Sequence, residues 1–224
     1  METGFWQPLI LSFKLAASAT VLLLALGTPL AYWLASGNSR LRTLTHAVVS
    51  LPLVLPPTVL GFYLLVALGP ASPSGRFIES ILGARLVFTF GGLLVGSVIY
   101  SLPFMVQPIE TALAALPASL AEASCILGKS RWETFWNVQL PNIRPAVLAG
   151  IVLSFAHTVG EFGLVLMIGG SIPGQTRVAS IAVFNEVEAM NYGVANRYAL
   201  VLLAVTFPVL VVLETYRRRS TRML

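Results

Sequence analysis

The segment Gly160-Glu161-Phe162-Gly163 sets one carboxylate, flanked by glycines, inside a long apolar run. A carboxylate at membrane depth is costly, so it is either functional or paired. Few other residues offer chemistry. His46 and His157 are isolated, and Cys125 is the single cysteine, which rules out an internal disulfide. His157 lies four residues before Glu161, within reach on one helix face, although packing is its expected role. The chain has no zinc-ligand spacing, no Gly-rich phosphate loop and no nucleophile elbow. Neither a metal site nor covalent catalysis is expected, so the chain reads as a non-enzyme.

The elements that must position Glu161 are apolar helices. Of 224 residues, 56% are hydrophobic and 10% charged, where soluble domains carry about a quarter charged. A membrane-crossing helix needs about 20 apolar residues. Five stretches meet that need, at 10–35, 47–68, 86–109, 145–170 and 198–216. The expectation is an all-α polytopic membrane protein forming a single domain over 1–224. The first stretch reads as a retained helix, because no basic residue precedes Lys14 and the apolar run exceeds a signal core. Lys14 is expected to snorkel to the interface. Val178 to Met190 carries Glu186 and Glu188 and is expected as an external, interfacial helix.

Lys and Arg set the orientation. Arg40, Arg42, Lys129, Arg131, Arg144 and the tail Arg217, Arg218, Arg219 and Arg222 fall on one side, against Arg76, Arg85, Arg177 and Arg197 on the other. Basic residues concentrate in cytoplasmic loops, which places the C-terminus inside and the N-terminus outside. These clusters account for the net charge of +5. Membrane lipid, and no nucleic acid, is the expected surrounding.

Two stretches break the helical pattern. Pro52, Pro56 and Pro57 fall within six residues of the second span. Each removes a backbone donor and clashes with the preceding turn. Freed carbonyls in lipid are tolerated where they are buried in protein or line a water cavity. These prolines, with Gly160, Glu161 and Gly163, are the pathway or gate candidates.

The second break is the polar insert, 117–144. Pro117 suits a helix start, and Leu120, Ala123, Ser124 and Leu127 share one face. Gly128 stands where a left-handed cap belongs. Ser130 and Glu133 form a capping box for a second helix. Its apolar face is Trp132, Phe135, Trp136 and Leu140, and Pro141 is expected to end it. Two helices this short need something to pack on.

Glu122-Ala123-Ser124, then Gly128, then Leu140-Pro141, resembles the EAA signature of ABC importer permeases, with Ser124 replacing the second alanine. The run Leu51-Pro52-Leu53-Val54-Leu55-Pro56-Pro57, the Gly160–Gly163 motif and Gly169-Gly170-Ser171-Ile172-Pro173-Gly174-Gln175-Thr176-Arg177 are similar to the permease of molybdate transporters over nearly the whole chain. The resemblance implies the type I ABC importer permease fold in a bacterial inner membrane. It implies a homodimer, two nucleotide-binding ATPase subunits and an external substrate-binding protein. Glu122, Ala123, Ser124, Gly128, Trp132, Leu140 and Pro141 would couple to the ATPase. ATP and Mg would sit on that partner, with no cofactor in this chain. Arg177 and Arg197 are candidates for touching the binding protein. Tungstate and sulfate or thiosulfate are the alternative cargoes. An ion-coupled secondary transporter is the other class, but it calls for midplane titratable groups and internal repeats, of which the sequence offers one acid and no clear repeat. An anion path would not hold a bare carboxylate, so Glu161 is expected as a structural or gating partner.

Overall fold

The computed structural model describes the backbone of residues 2–37 and 39–221 and the side chains of 4–37, 39–81 and 83–215. Arg222 therefore lies outside the described residues, as do the side chains of Arg217, Arg218 and Arg219. Every described regular element is helical. In chain order they are α1 (Glu2–Ala35), α2 (Arg40–Ser50), α3 (Pro57–Leu68), α4 (Pro73–Leu82), α5 (Phe90–Ala114), α6 (Ala118–Ile126), α7 (Arg131–Thr134), α8 (Leu140–Asn142), α9 (Arg144–Gly160), α10 (Gly163–Gly169), α11 (Ala179–Glu188) and α12 (Tyr192–Thr221).

Three described helices, within α1, α5 and α12, are long and apolar enough to cross a membrane alone, and two bent pairs raise the number to five. The first pair is the proline-broken stretch. A 3-10 turn at Leu51–Leu53 follows α2, and α3 leaves at 113° to the segment Arg40–Leu53. The second bend, of 76°, separates the insert's Arg131–Asn142 from α9. The stretch expected as one helix over 145–170 is divided: α9 ends at Gly160, and α10 starts at Gly163. Glu161 and Phe162 form the break, with Glu161 extended at φ −66°, ψ 128°.

α1, α5 and α9 form the centre of the bundle. Leu23, Met105, Val106 and Ile109 are fully buried there. Met105 of α5 is the meeting point. A Cβ added at Gly27 of α1 would come 2.9 Å from its Cγ, and one at Gly150 of α9 would come 2.9 Å from its Sδ. Glycine at both positions lets the backbones approach closely, as small residues do at membrane helix contacts.

A second layer is α3 against α10 and α5. Gly61 of α3 lies over Leu164 and Met167, and Gly96 of α5 lies over Leu164 and Ile168. A third cluster joins Leu9 of α1, Ala179 and Ala182 of α11 and Tyr198 of α12. α11, within the stretch expected as an external, interfacial helix, packs one side on the bundle: Ala179, Ile181 and Ala182 are buried and the Ala179 amide donates to Ser12 Oγ at 2.7 Å. Of its acids, Glu188 is exposed, whereas Glu186 is half-buried and accepts from Asn191 Nδ2 at 3.0 Å. α12 is the outlier, with almost none of its apolar stretch buried.

Candidate functional site

The insert folds as a helix–turn–helix. Pro117 precedes α6 at its N-cap position. Gly128 turns the chain at φ +78°, and α7 starts two residues beyond the Lys129 that follows it. The capping box is complete: the Ser130 amide donates to Glu133 Oε2 at 2.8 Å, and the Glu133 amide donates to Ser130 Oγ at 3.2 Å. Hydrogen bonds from the Ser130 backbone first, then from its hydroxyl, hold the Glu133 carboxyl below the usual carboxylate range, aided by Lys129. A π-helical turn at Phe135–Gln139 follows, and Pro141 lies inside α8 rather than ending it, since the helix runs to Asn142.

One side of the insert faces the bundle. Phe135 is 3% exposed and packs edge-on to Tyr32 of α1 at 4.8 Å between centroids. Ser124 is also buried, and its Oγ shares a 2.8 Å hydrogen bond with Thr134 Oγ1. The replacement in the Glu-Ala-Ala signature thus braces α6 against α7. The other side is open. Ile126 is 86%, Leu127 79%, Trp132 61% and Trp136 49% exposed. Leu127, read on one face with Leu120, Ala123 and Ser124, lies exposed at the helix end beside Gly128. Glu122 and Ala123 are exposed, and Leu140 and Pro141 are half-buried.

The two broken stretches meet. A Cβ at Gly163 would lie 3.0 Å from Thr58 Cγ2 and 3.4 Å from Pro57 Cγ. Pro57 and Gly163 are therefore neighbours, whereas Pro52 is buried in the turn below and Pro56 is exposed. Glu161 is 4% exposed, and neither carboxylate oxygen has a hydrogen-bond partner among the described residues. Ser97 and Tyr100 of α5 are the polar groups facing it. Its carbonyl does better, accepting from Ser180 Oγ at 2.6 Å. His157 does not bond Glu161. It pairs with Ser101 of α5, Nδ1 to Oγ, at 2.9 Å, and Ser101 bonds Thr158 Oγ1 at 3.0 Å.

Sequence reasoning missed this hydroxyl track. Ser97 and Ser101 on α5, and Ser154 and Thr158 on α9 with Glu161 just past its end, recur at three- and four-residue spacing in an otherwise apolar setting. That spacing was the available signal. It also missed two cross-links near the insert: Gln107 Nε2 donates to Ser50 Oγ at 3.1 Å, and His46 approaches Glu110 at 3.4 Å.

Between α5 and α9, toward the insert, lies an open cavity of about 610 Å³, with Leu53, Phe104, Gln107, Thr111, Pro145 and Leu153 in its wall. None of its lining residues is charged. Lys14 stands elsewhere, its ammonium 5.0 Å from the Phe90 ring centroid. Of the two expected rim arginines, Arg197 is exposed. Arg177 is only half-buried and is tied down, with Nε donating to Ser171 Oγ at 3.1 Å and Nη2 to the Ser171 carbonyl at 3.3 Å.

A TM-score of 0.77, at 16% sequence identity, relates the fold to a chain of a bacterial alginate ABC transporter, covering 96% of this chain and 79% of that one. Closer sequence relatives carry transport names. The molybdenum transport system permease protein ModB of Azotobacter vinelandii is 50% identical over 208 residues, 93% of this chain and 92% of that protein. ModB of Escherichia coli (strain K12) is 33% identical over 183 residues, 82% of this chain and 80% of that protein. The fold, the broken helices and the helix–turn–helix thus agree with a family match over residues 27–222. The chain belongs to the binding-protein-dependent transport system inner membrane component family.

Proposed function

We propose that this chain is the membrane-spanning subunit of an ATP-driven importer for molybdate, working as a pair of identical copies with two ATPase subunits and an external binding protein. The carrying observation is the open edge of the insert, where Ile126, Leu127, Trp132 and Trp136 stand exposed on helices braced from behind. Exposed aromatic and aliphatic anchors in a cluster suit burial in a partner's groove. The cargo rests on the identity to molybdenum permeases.

The uneven Lys and Arg distribution supports a cytoplasmic insert and C-terminus with the N-terminus outside. The α5–α9 cavity then opens inward. Gln107 and Thr111 offer neutral donors there, and no charge lines the wall. An oxyanion held tightly would want charged or several convergent donors. The cavity therefore suits passage, and selective capture falls to the external protein. ATP binding draws the two coupling elements together and opens the route outward; hydrolysis returns it inward.

The test is uptake of labelled molybdate in cells lacking only this chain, with and without its restoration. Rescue, with competition by tungstate and none by sulfate, is expected. Rescue of sulfate uptake alone would move the cargo and leave the coupling argument standing.

A further inference from the structure

The cavity stops short. Toward the start of α5 and the end of α9 its last lining residues are Pro103 and Phe104 on α5 and Leu153 on α9, although both helices continue. The next turn is filled by rings. Phe104 stacks on His157 with centroids 4.2 Å and planes 28° apart, and Tyr100 closes on the same imidazole at 4.7 Å. The imidazole is held in place by the 2.9 Å bond to Ser101, itself bonded to Thr158. Beyond the rings polar groups resume, at Ser97 and Glu161, both buried.

A leucine would fill this position without the cost of burying an imidazole. What His157 adds is a fixed ring on one helix, locked to a hydroxyl on the other. The lock can exist in two arrangements, engaged or released, as an element biased between two states requires. Resting on the importer reading, we propose that His157 is the positioning residue of a plug. It holds Phe104 across this end of the cavity, seals the route between cycles, and releases it when α9 shifts against α5.

The test uses the complete complex with its ATPase partner in liposomes, and reads labelled molybdate flux with and without ATP. His157→Ala and Phe104→Ala are each expected to lose the dependence on ATP and to leak molybdate down its gradient. His157→Phe, which restores a stacked ring, is expected to stay sealed. A ring needed only for folding would change recovery of the assembled complex but not open a leak. ATP-strict flux in an assembled His157→Ala or Phe104→Ala complex overturns the plug. If His157→Ala fails to assemble, Phe104→Ala decides. A wild-type complex that moves no molybdate would instead overturn the importer reading, and the plug with it.

Discussion

Among the described residues, the Glu161 carbonyl has a hydrogen-bond partner and neither of its carboxylate oxygens has one. Glu161→Gln keeps the shape and removes the acid. Thermal stability is expected to hold or rise, because a neutral amide costs less to bury than a carboxylate, while molybdate uptake falls. Loss of stability in step with uptake would make the residue purely structural. The second residue-scale prediction concerns pH. The folded-state pKa of Glu133 is depressed, so its cap contributes stability above the ordinary carboxyl range and loses it as pH falls through the depressed value. Hydrogen-exchange protection at Thr134 and Phe135 should drop over that window in the wild type and show no such step in Glu133→Gln. At this scale legibility followed sequence distance. The capping box and the left-handed Gly128 were readable because four or five residues determine them. The Ser124–Thr134 bond was not, because the packing of α6 on α7 creates it. His157 was read as a packing residue within reach of Glu161; its bond to Ser101 on α5 was not legible, because the packing of α5 on α9 creates it.

Elements were legible as apolar runs, and less so as directions. The three prolines announced a broken helix, but the 113° turn depends on where α3 finds Gly163 and Leu164 to pack against. The break at Glu161-Phe162 was harder to read, because no proline marks it and the acid and its flanking glycines alone do not end a helix. Glycine contacts with α3 and α5 fix α10 there instead. The helix–turn–helix insert, proposed to couple to an ATPase, is testable at this level. A Cβ at Gly128 meets nothing within 4 Å, so the strain there is conformational, from φ +78°. Gly128→Ala should then cost about 1 kcal/mol in local stability, and Gly128→Asp somewhat less in strain, since Asp tolerates that region better. Gly128→Asp nevertheless adds a charge beside the exposed Ile126, Leu127 and Trp132. The outcome expected is normal membrane insertion with ATP-driven uptake lost for Asp and largely kept for Ala. Normal uptake in the Asp variant would remove the insert from the coupling role.

For the whole molecule, composition pointed to lipid, and three of the described helices are long and apolar enough to cross a membrane, or up to five spans if each bent pair counts as one. What composition left open was the share of each helix that the chain covers itself. α1 and α5 are about half buried over their most apolar windows, whereas α12 is almost bare. α12 therefore looks outward to lipid or to another chain. The two arginines proposed to meet a binding protein also separate at this scale. Arg197 is exposed, so Arg197→Glu should reverse a rim charge and slow binding-protein-stimulated uptake while leaving basal ATPase activity intact. Arg177→Glu should lower stability as well, because it breaks two bonds to Ser171. Equal effects of the two on stability would contradict that division.

Cys125 is the single thiol in the chain, and it stands exposed on α6, next to Ser124 and Ile126. A paired assembly would therefore display two thiols, one on each coupling element. A spin or fluorescent label attached there would report one inter-subunit distance without any engineered residue. The approach of the two elements during the nucleotide cycle would become a ruler reading on native protein.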